Sequence, residues 1–526
     1  MAHNSIRVQE LMKRINNQLH LVDFYQAQLH QAKASLRTVA NSSPTVVPIS
    51  VLPPEIMLRI FKFVIGAQPG IIGKGKDRLN IQSVSLRFPK YPDLLSHVCS
   101  HWRQIALASP ALWTYIDLAH HDLLGQKLVA RAKAYITRAH QSPLDIRVVD
   151  LFSPSVYAPP ADIDDLNILL PATPIRSLEL VTYHGFHESH FITLEHCFEY
   201  CAPGTLKQLS LRRANSQGDS NIFLGSNESP PDPNNASVQL YISEKRLEDL
   251  WAEINVLRLD GLYFRWTSKA YHNLIDLRLG SEFWGPTIHE AEIVEIMKSN
   301  PRLRIFHFHL SIVNPLPIDA RVTPVHLNDL EVLNLKSMKR EHLETFIRWI
   351  APGARRLQLS IKSSASSQVQ SFFARSNVTQ LRISLPDASS LDHLLRLSPQ
   401  ICVLVIDQFG RGLRTGSLFG AFEAQSAPSP LKSSVLPETI RFEALYILRS
   451  QIESGALREI VEKHSIKKLV LWDCSLAQES TSEEYDTFTL AREFLGCQVA
   501  SECLTHRDPD PTNDWDTPNG LYHWYM

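Results

Sequence analysis

Two stretches carry residues whose types suggest chemistry. The run Gly66-Ala-Gln-Pro-Gly-Ile-Ile-Gly-Lys-Gly-Lys76 has the glycines and lysines of a phosphate-binding loop. A Walker loop, however, places four residues between its first glycine and Gly-Lys-Ser/Thr. Here six residues separate Gly66 from Gly73, Lys74 is followed by Gly75, and the preceding segment reads as a helix rather than a strand. The second stretch gathers His184, His187, His190, His196, Cys197 and Cys201, residue types that ligate zinc. Its histidines are spaced so that they spread around a helix. Cys197 and Cys201, one turn apart, suit the buried side of a helix, where a free cysteine acts as a small apolar residue. Neither G-x-S-x-G nor H-E-x-x-H occurs, and the carboxylates are scattered. The expectation is a protein with no catalytic residues, metal site or cofactor.

The elements that would position a binding surface are more informative. From about residue 140 onward, an apolar-x-x-Leu-x-Leu pattern recurs, as in Ile175-Arg-Ser-Leu-Glu-Leu180, Ile254-Asn-Val-Leu-Arg-Leu259 and Leu330-Glu-Val-Leu-Asn-Leu335. Its fourth residues are 178, 209, 257, 277, 306, 333, 357, 381, 404, 445 and 469. Most intervals approach the period of a leucine-rich repeat. The two longest hold polar, Gly/Ser/Pro-rich insertions, 215–237 and 411–434. Helical stretches at 290–298, 340–350, 368–374, 391–397 and 457–464 alternate with these strands. Such units bury their apolar sides by stacking. The expected fold class is an α/β repeat, a leucine-rich horseshoe or solenoid. Alternation along each strand sends the two leucines inward and the residue between them to the concave face. That face then carries Glu179, Ser210, Arg258, Arg278, His307, Asn334, Gln358, Arg382, Val405, Tyr446 and Val470. Arg212, Asp260, His309, Lys336, Ser360, Ser384, Asp407 and Trp472 join from the position after the second leucine.

Ahead of the repeats, residues 5–40 read as one amphipathic helix with Leu11, Ile15, Val22, Leu29, Leu36 and Val39 on a stripe, stopped at Pro44. Its mixed seam residues favour a helix laid on the next domain over a coiled-coil seam. A compact block follows. Pro53-Pro54 starts a helix whose first turn holds Glu55, and Ile56, Ile60 and Phe63 form one face. After the insertion 66–92, a second helix spans 94–106 with Leu95, Val98, Trp102 and Ile105 on one face, and a short strand covers 114–118. Beyond residue 476 the chain is acidic, then rich in Asp, Pro and Asn, and reads as a cap or tail. The domains expected are 1–44, 45–118, 119–476 and 477–526.

The block 49–118 resembles the F-box motif. The resemblance rests on Leu52-Pro53-Pro54-Glu55-Ile56, Ile60-Phe61, Val98-Cys99-Ser100-His101-Trp102-Arg103 and Pro110-Ala-Leu-Trp113. With the helix before it and the repeats after it, the chain is similar to the large F-box family of mushroom-forming fungi, apart from the long insertion 66–92. The resemblance implies the substrate-recognition subunit of a Skp–cullin–F-box ubiquitin ligase, non-catalytic itself. Leu52, Pro53, Pro54, Glu55, Ile56, Ile60, Phe61, Val98, Cys99 and Trp102 would meet a Skp-type adaptor, and through it the cullin and RING subunits. Arg212, Arg258, Arg278, His307, His309, Lys336, Arg382, Tyr446 and Trp472 would hold the target protein. The alternative is a scaffold whose F-box-like helices only cap the array. A slightly cationic concave face suggests an acidic or phosphorylated target segment.

Composition fits an interaction protein. Lys+Arg 53 against Asp+Glu 54 gives a net charge of −1, and the pI is about 7.1, without the basic excess of a phosphate-neutralising nucleic-acid binder. Seven cysteines in 526 residues are no disulfide scaffold, and no apolar leader or continuous apolar span is visible. The expected setting is a reducing compartment, cytoplasm and/or nucleus, with no membrane or nucleic-acid partner.

Overall fold

The computed structural model describes residues 2–43, 45–66, 71–72, 86–88, 90–119, 125–150, 174–182, 185–213, 222–230, 236–280, 286–362, 366–384, 388–407, 441–453, 457, 461, 464, 466–477, 498–499, 511–512 and 515. Their framework is one parallel sheet of 14 strands. In chain order these are β1 (Tyr115–Ala119), β2 (Leu144–Asp150), β3 (Ile175–Thr182), β4 (Gln208–Arg213), β5 (Val256–Asp260), β6 (Asp276–Gly280) and β7 (Ile305–Phe308). They continue with β8 (Val332–Asn334), β9 (Leu357–Ile361), β10 (Val378–Ser384), β11 (Val403–Asp407), β12 (Ala444–Leu448), β13 (Lys468–Trp472) and β14 (Gln498–Val499). Each strand pairs with the next in sequence. The helices are α1 (Ala2–Ser42), α2 (Pro54–Gly66), α3 (Asp93–Ser96), α4 (Ser100–Leu107), α5 (Gly125–Ala139), α6 (Glu188–Tyr200), α7 (Glu244–Trp251), α8 (Glu290–Lys298), α9 (Arg340–Ile347), α10 (Ser367–Arg375) and α11 (Ala388–Leu397).

The paired apolar residues of each strand explain the sheet. Leu209, Leu257, Leu277 and Phe306 lie side by side in register, as do Leu211, Leu259, Leu279 and Phe308, and all are essentially inaccessible. Burying each such side chain contributes roughly 1.5–3 kcal/mol. The helices cover this face with their own apolar stripes, such as Ile293, Ile296 and Met297 of α8 and Leu343, Phe346 and Ile347 of α9. Phe346 stacks flat on Phe308 with ring centroids 4.5 Å apart. Where α8 ends, Asn300 carries out the local wiring. Its Oδ1 accepts from Leu274 N–H, and its Nδ2 donates to the carbonyls of Tyr271 and Ile296, each at 2.6 Å.

The structure corrects the expected architecture. A short all-α unit followed by a leucine-rich solenoid is replaced by one α/β fold on a single large parallel sheet. The short strand expected over 114–118 is β1, the edge strand of that sheet, and Met57 and Phe61 of α2 and Ile105 of α4 belong to the same continuous core as the strand leucines as far as Leu471, so the helices do not form a separate unit. The joint is Trp113, fully buried, its Nε1 donating to Ala106 O at 2.8 Å and its ring 5.1 Å from that of Tyr135 on α5.

Other expectations also change. The helix expected over 94–106 is broken into α3 and α4, so its stripe does not hold: Leu95 and Ile105 are buried, whereas Val98 lies exposed between them. The polar segment 215–237 contains the strand Ile222–Ser226, which pairs in parallel with Ala236–Leu240 and with Leu262–Phe264 to make a small second sheet. Within 66–92, Ile71–Ile72 pairs antiparallel with Leu86–Arg87. The insertion 411–434 and most of 457–464 lie outside the described residues. Finally, α1 does not lie on the next domain, because every described side chain from 7 to 41 is exposed.

Candidate functional site

Two surfaces emerge. The first is helical. Pro54 opens α2 and Glu55 occupies its first turn. Met57 and Phe61, one turn apart, plunge into the core, while Ile56 on the neighbouring stripe is 44% exposed. Pro53, Pro54 and Glu55 are exposed, and Leu52, Ile60 and Trp102 are half-buried. Trp102 rests against Phe61 with ring centroids 5.0 Å apart. Phe61 therefore acts as a core anchor, not as an adaptor contact, since a side chain with no accessible surface has nothing to offer a partner. Val98 is exposed, joined by Val51, Phe63, Leu94 and Leu107, which leaves apolar area on several elements at once. Cys99 is half-buried and caps α4, its Sγ accepting from Trp102 N–H at 3.5 Å. Asp93 of α3 accepts from Tyr135 Oη at 2.7 Å, which ties the helical surface to α5 and the sheet.

The second surface is the open face of the sheet. Register aligns Arg147, Glu179, Ser210, Arg258, Arg278, His307 and Asn334 in one row. Beyond Asn334 the row continues through Ser360, Arg382, Val405, Tyr446 and Val470. Gln358 falls in the neighbouring row, opposite Val332. Because Leu357, Leu359 and Ile361 repeat every second residue, the pattern is equally good two positions along, and pairing decides the register.

The charges of this face are spent on one another. Asp276, almost inaccessible, accepts from Arg258 at 3.1 Å and Arg278 at 2.9 Å. Arg212 meets Glu179 at 2.5 Å, and Arg147 lies 3.8 Å from the same carboxylate. Arg382 pairs with Asp407 at 3.0 Å, and Arg449 contacts both oxygens of that carboxylate. The slight cationic lean expected from the sequence is thus largely neutralised within the fold. His307 is buried, and its basicity is pushed well below that of an ordinary histidine, first by burial, then by Arg278, His309, Arg258 and Lys336. His309 Nε2 and Lys336 N–H both reach Asn334 Oδ1 at 3.2 Å. Nearer β1, Tyr115, Asp145, Arg147, Glu179, Ser210 and Arg258 line a shallow depression. Burial lifts the Asp145 carboxyl to about 6 against the opposing pull of Arg176.

Sequence reasoning missed the occupant of the far end of this face. Residues read only as cap or tail return to it: Thr512 Oγ1 accepts from Arg382 Nη1 at 2.7 Å, and Trp515 O accepts from Gln358 Nε2. Trp515 packs with Tyr446 against Val405, Leu448 and Trp472. Tyr446 and Trp472, expected to await a target, are thus partly covered by the chain itself. Asp276 was legible, since it stands two residues before Arg278 on the same strand face.

The zinc-type cluster does not assemble. His190 is fully buried, with Nε2 3.0 Å from Asp150 Oδ2 and Nδ1 accepting from His187 N–H at 2.9 Å. Cys197 and Cys201 are buried, and burial raises the Cys197 thiol to about 12. His184 lies outside the described residues, as does most of the glycine-rich run. Among the described residues no group of three or more His, Cys, Asp or Glu side chains is placed to hold a metal ion, and no helix is long and apolar enough to cross a membrane. Compared with protein-family models and with curated proteins, the chain gave no match to either.

Proposed function

We propose that the chain is the non-catalytic, substrate-recognition subunit of a Skp–cullin–F-box-type ubiquitin ligase, with α2–α4 docking a Skp-type adaptor and the open sheet face holding a target protein. One observation carries the reading. The helices that close the β1 end of the sheet bury Met57 and Phe61 completely yet leave Ile56, Phe63, Val98 and Leu107 42–57% exposed. Large apolar side chains left in water on α2, α4 and the turn between α3 and α4 are costly and are characteristic of a surface that another subunit covers. The dense ion-paired rows suit a target surface of mixed polarity, held by hydrogen bonds, better than one held by bulk charge.

A plain scaffold is the second reading, favoured by the same helices sealing the sheet end through Trp113 and Ile116. Co-purification separates the two. The full chain is expressed with a Skp-type adaptor, alongside a Leu52→Ala, Pro53→Ala double variant and an Ile56→Asp, Val98→Asp double variant. The ligase reading expects a stoichiometric complex with the unaltered chain and its loss in both variants. Equal capture of all three would refute the docking surface, and no capture of any would leave the scaffold.

A further inference from the structure

We propose that α1 is a dimerisation element, through which two copies of this chain wind their N-terminal helices into a parallel, in-register two-stranded coiled coil. The helix keeps a strict seven-residue repeat. Val8, Ile15, Val22, Leu29 and Leu36 occupy one seam position, and Leu11, Gln18, Tyr25, Ala32 and Val39 the other. This is the alternating three-and-four spacing that keeps a seam facing a partner over five heptads. The first set is 46–72% exposed, and no described residue of any other element covers it. A helix of this composition gains little from intrinsic propensity alone, and most helices in proteins are stabilised by packing one face. Here the packed face is missing.

The size of the stripe and its charge pattern both indicate a second copy as the occupant. The stretch from 7 to 41 spans about 50 Å. Its eight large seam side chains, with Met12, Leu19 and Leu21 beside them, are all exposed and together offer on the order of 800 Å² per helix, about what one partner contributes to a stable interface. In a parallel pair, the flanking residues meet five positions apart across the seam. Arg7 then faces Met12, Arg14 faces Leu19, Leu21 faces Gln26 and Gln28 faces Lys33, with no like charges opposed. Gln18 sets the direction. In a parallel, in-register pair it meets its own counterpart and the two amides bond each other, whereas an antiparallel pair strands each amide among apolar residues. β-Branched Val8, Ile15 and Val22 at the first seam position favour two strands.

The proposal does not rest on the ligase reading, and its test uses no adaptor. Light scattering behind size-exclusion chromatography of the full chain at micromolar concentration is expected to give twice 59.7 kDa. Ile15→Asp with Val22→Asp is expected to give the monomer with an unchanged melting temperature, because both side chains are exposed and leave the core untouched. Gln18→Cys is expected to form a covalent dimer under mild oxidation that the unaltered chain does not form. A monomeric unaltered chain would overturn the proposal, as would a dimer that survives the aspartates. A dimer in which Gln18→Cys fails to cross-link would overturn the parallel arrangement.

Discussion

Asn300 offers a quantitative test of how the sheet is held to its helices. Asn300→Ala removes three hydrogen bonds, all at 2.6 Å and all in a site with no accessible surface. Leu274 N–H loses its acceptor, and an unsatisfied buried donor costs roughly 1–3 kcal/mol. The carbonyls of Tyr271 and Ile296 each lose a donor, and the missing amide leaves a small void, which together bring the total to about 3–5 kcal/mol. Asn300→Asp keeps the acceptor but turns a carboxylate toward two carbonyls, so it should cost at least as much. Asn377 provides the control. It donates to Ala354 O at 3.0 Å from a wetter position, and Asn377→Ala should cost under about 1 kcal/mol. Thermal unfolding followed by far-ultraviolet circular dichroism on the three variants gives the comparison. Equal losses at Asn300 and Asn377 would refute the reasoning, because the expected difference comes from the burial of Asn300 and from its three bonds against one.

Four further outcomes follow from the same geometry. Phe61→Ala should lose about 3–5 kcal/mol of stability, whereas Ile56→Asp should stay within about 0.5 kcal/mol, measured by chemical denaturation. His307 gives a pH signature. Its folded-state basicity is depressed, so below about 6.5 the unfolded chain takes a proton that the fold refuses, and stability falls as pH drops. His307→Asn should flatten that slope, by up to about 1.4 kcal/mol per pH unit, in melts between pH 6.5 and 5. Asp145 acts with the opposite sign. With its carboxyl raised to about 6, the fold holds a proton that the unfolded chain releases, so stability rises as pH falls from about 6 toward 4, and Asp145→Asn should abolish that gain. Trp515→Ala should cost about 1–2 kcal/mol and shift the emission of Trp472 toward that of a solvated indole, since Trp515 is half-buried against it.

Much of the fold is legible in the chain because its strands carry paired apolar residues at period two. The helix expected over 290–298 appears as Glu290–Lys298, where a stripe of Ile293, Ile296 and Met297 follows a capping Glu292. α5 was not legible, since its small buried residues Ala132 and Ala139 give a faint stripe beside the stronger Leu128 and Tyr135. β2 was missed because Leu144-Asp-Ile-Arg-Val-Val149 lacks the leucine pair, although Ile146 and Val148 serve the same purpose. At the helical surface the apolar residues were visible in the sequence, but the split between Ile56 outside and Phe61 inside depends on how α2 is rotated. On the sheet face the positions of the charges were visible, but their mutual neutralisation was not. Arg382 finds Asp407 across 25 residues and Thr512 across 130. Spacing alone gives no hint of a return from so far along the chain.

The most direct measurement is calorimetric titration of the purified full chain with a Skp-type adaptor, repeated with Ile56→Asp, Val98→Asp. The proposal expects one adaptor per chain at micromolar affinity or tighter, weakened at least tenfold in the variant with its melting temperature unchanged. An absence of heat and of complex with the unaltered chain, or equal affinity for both proteins, would contradict it.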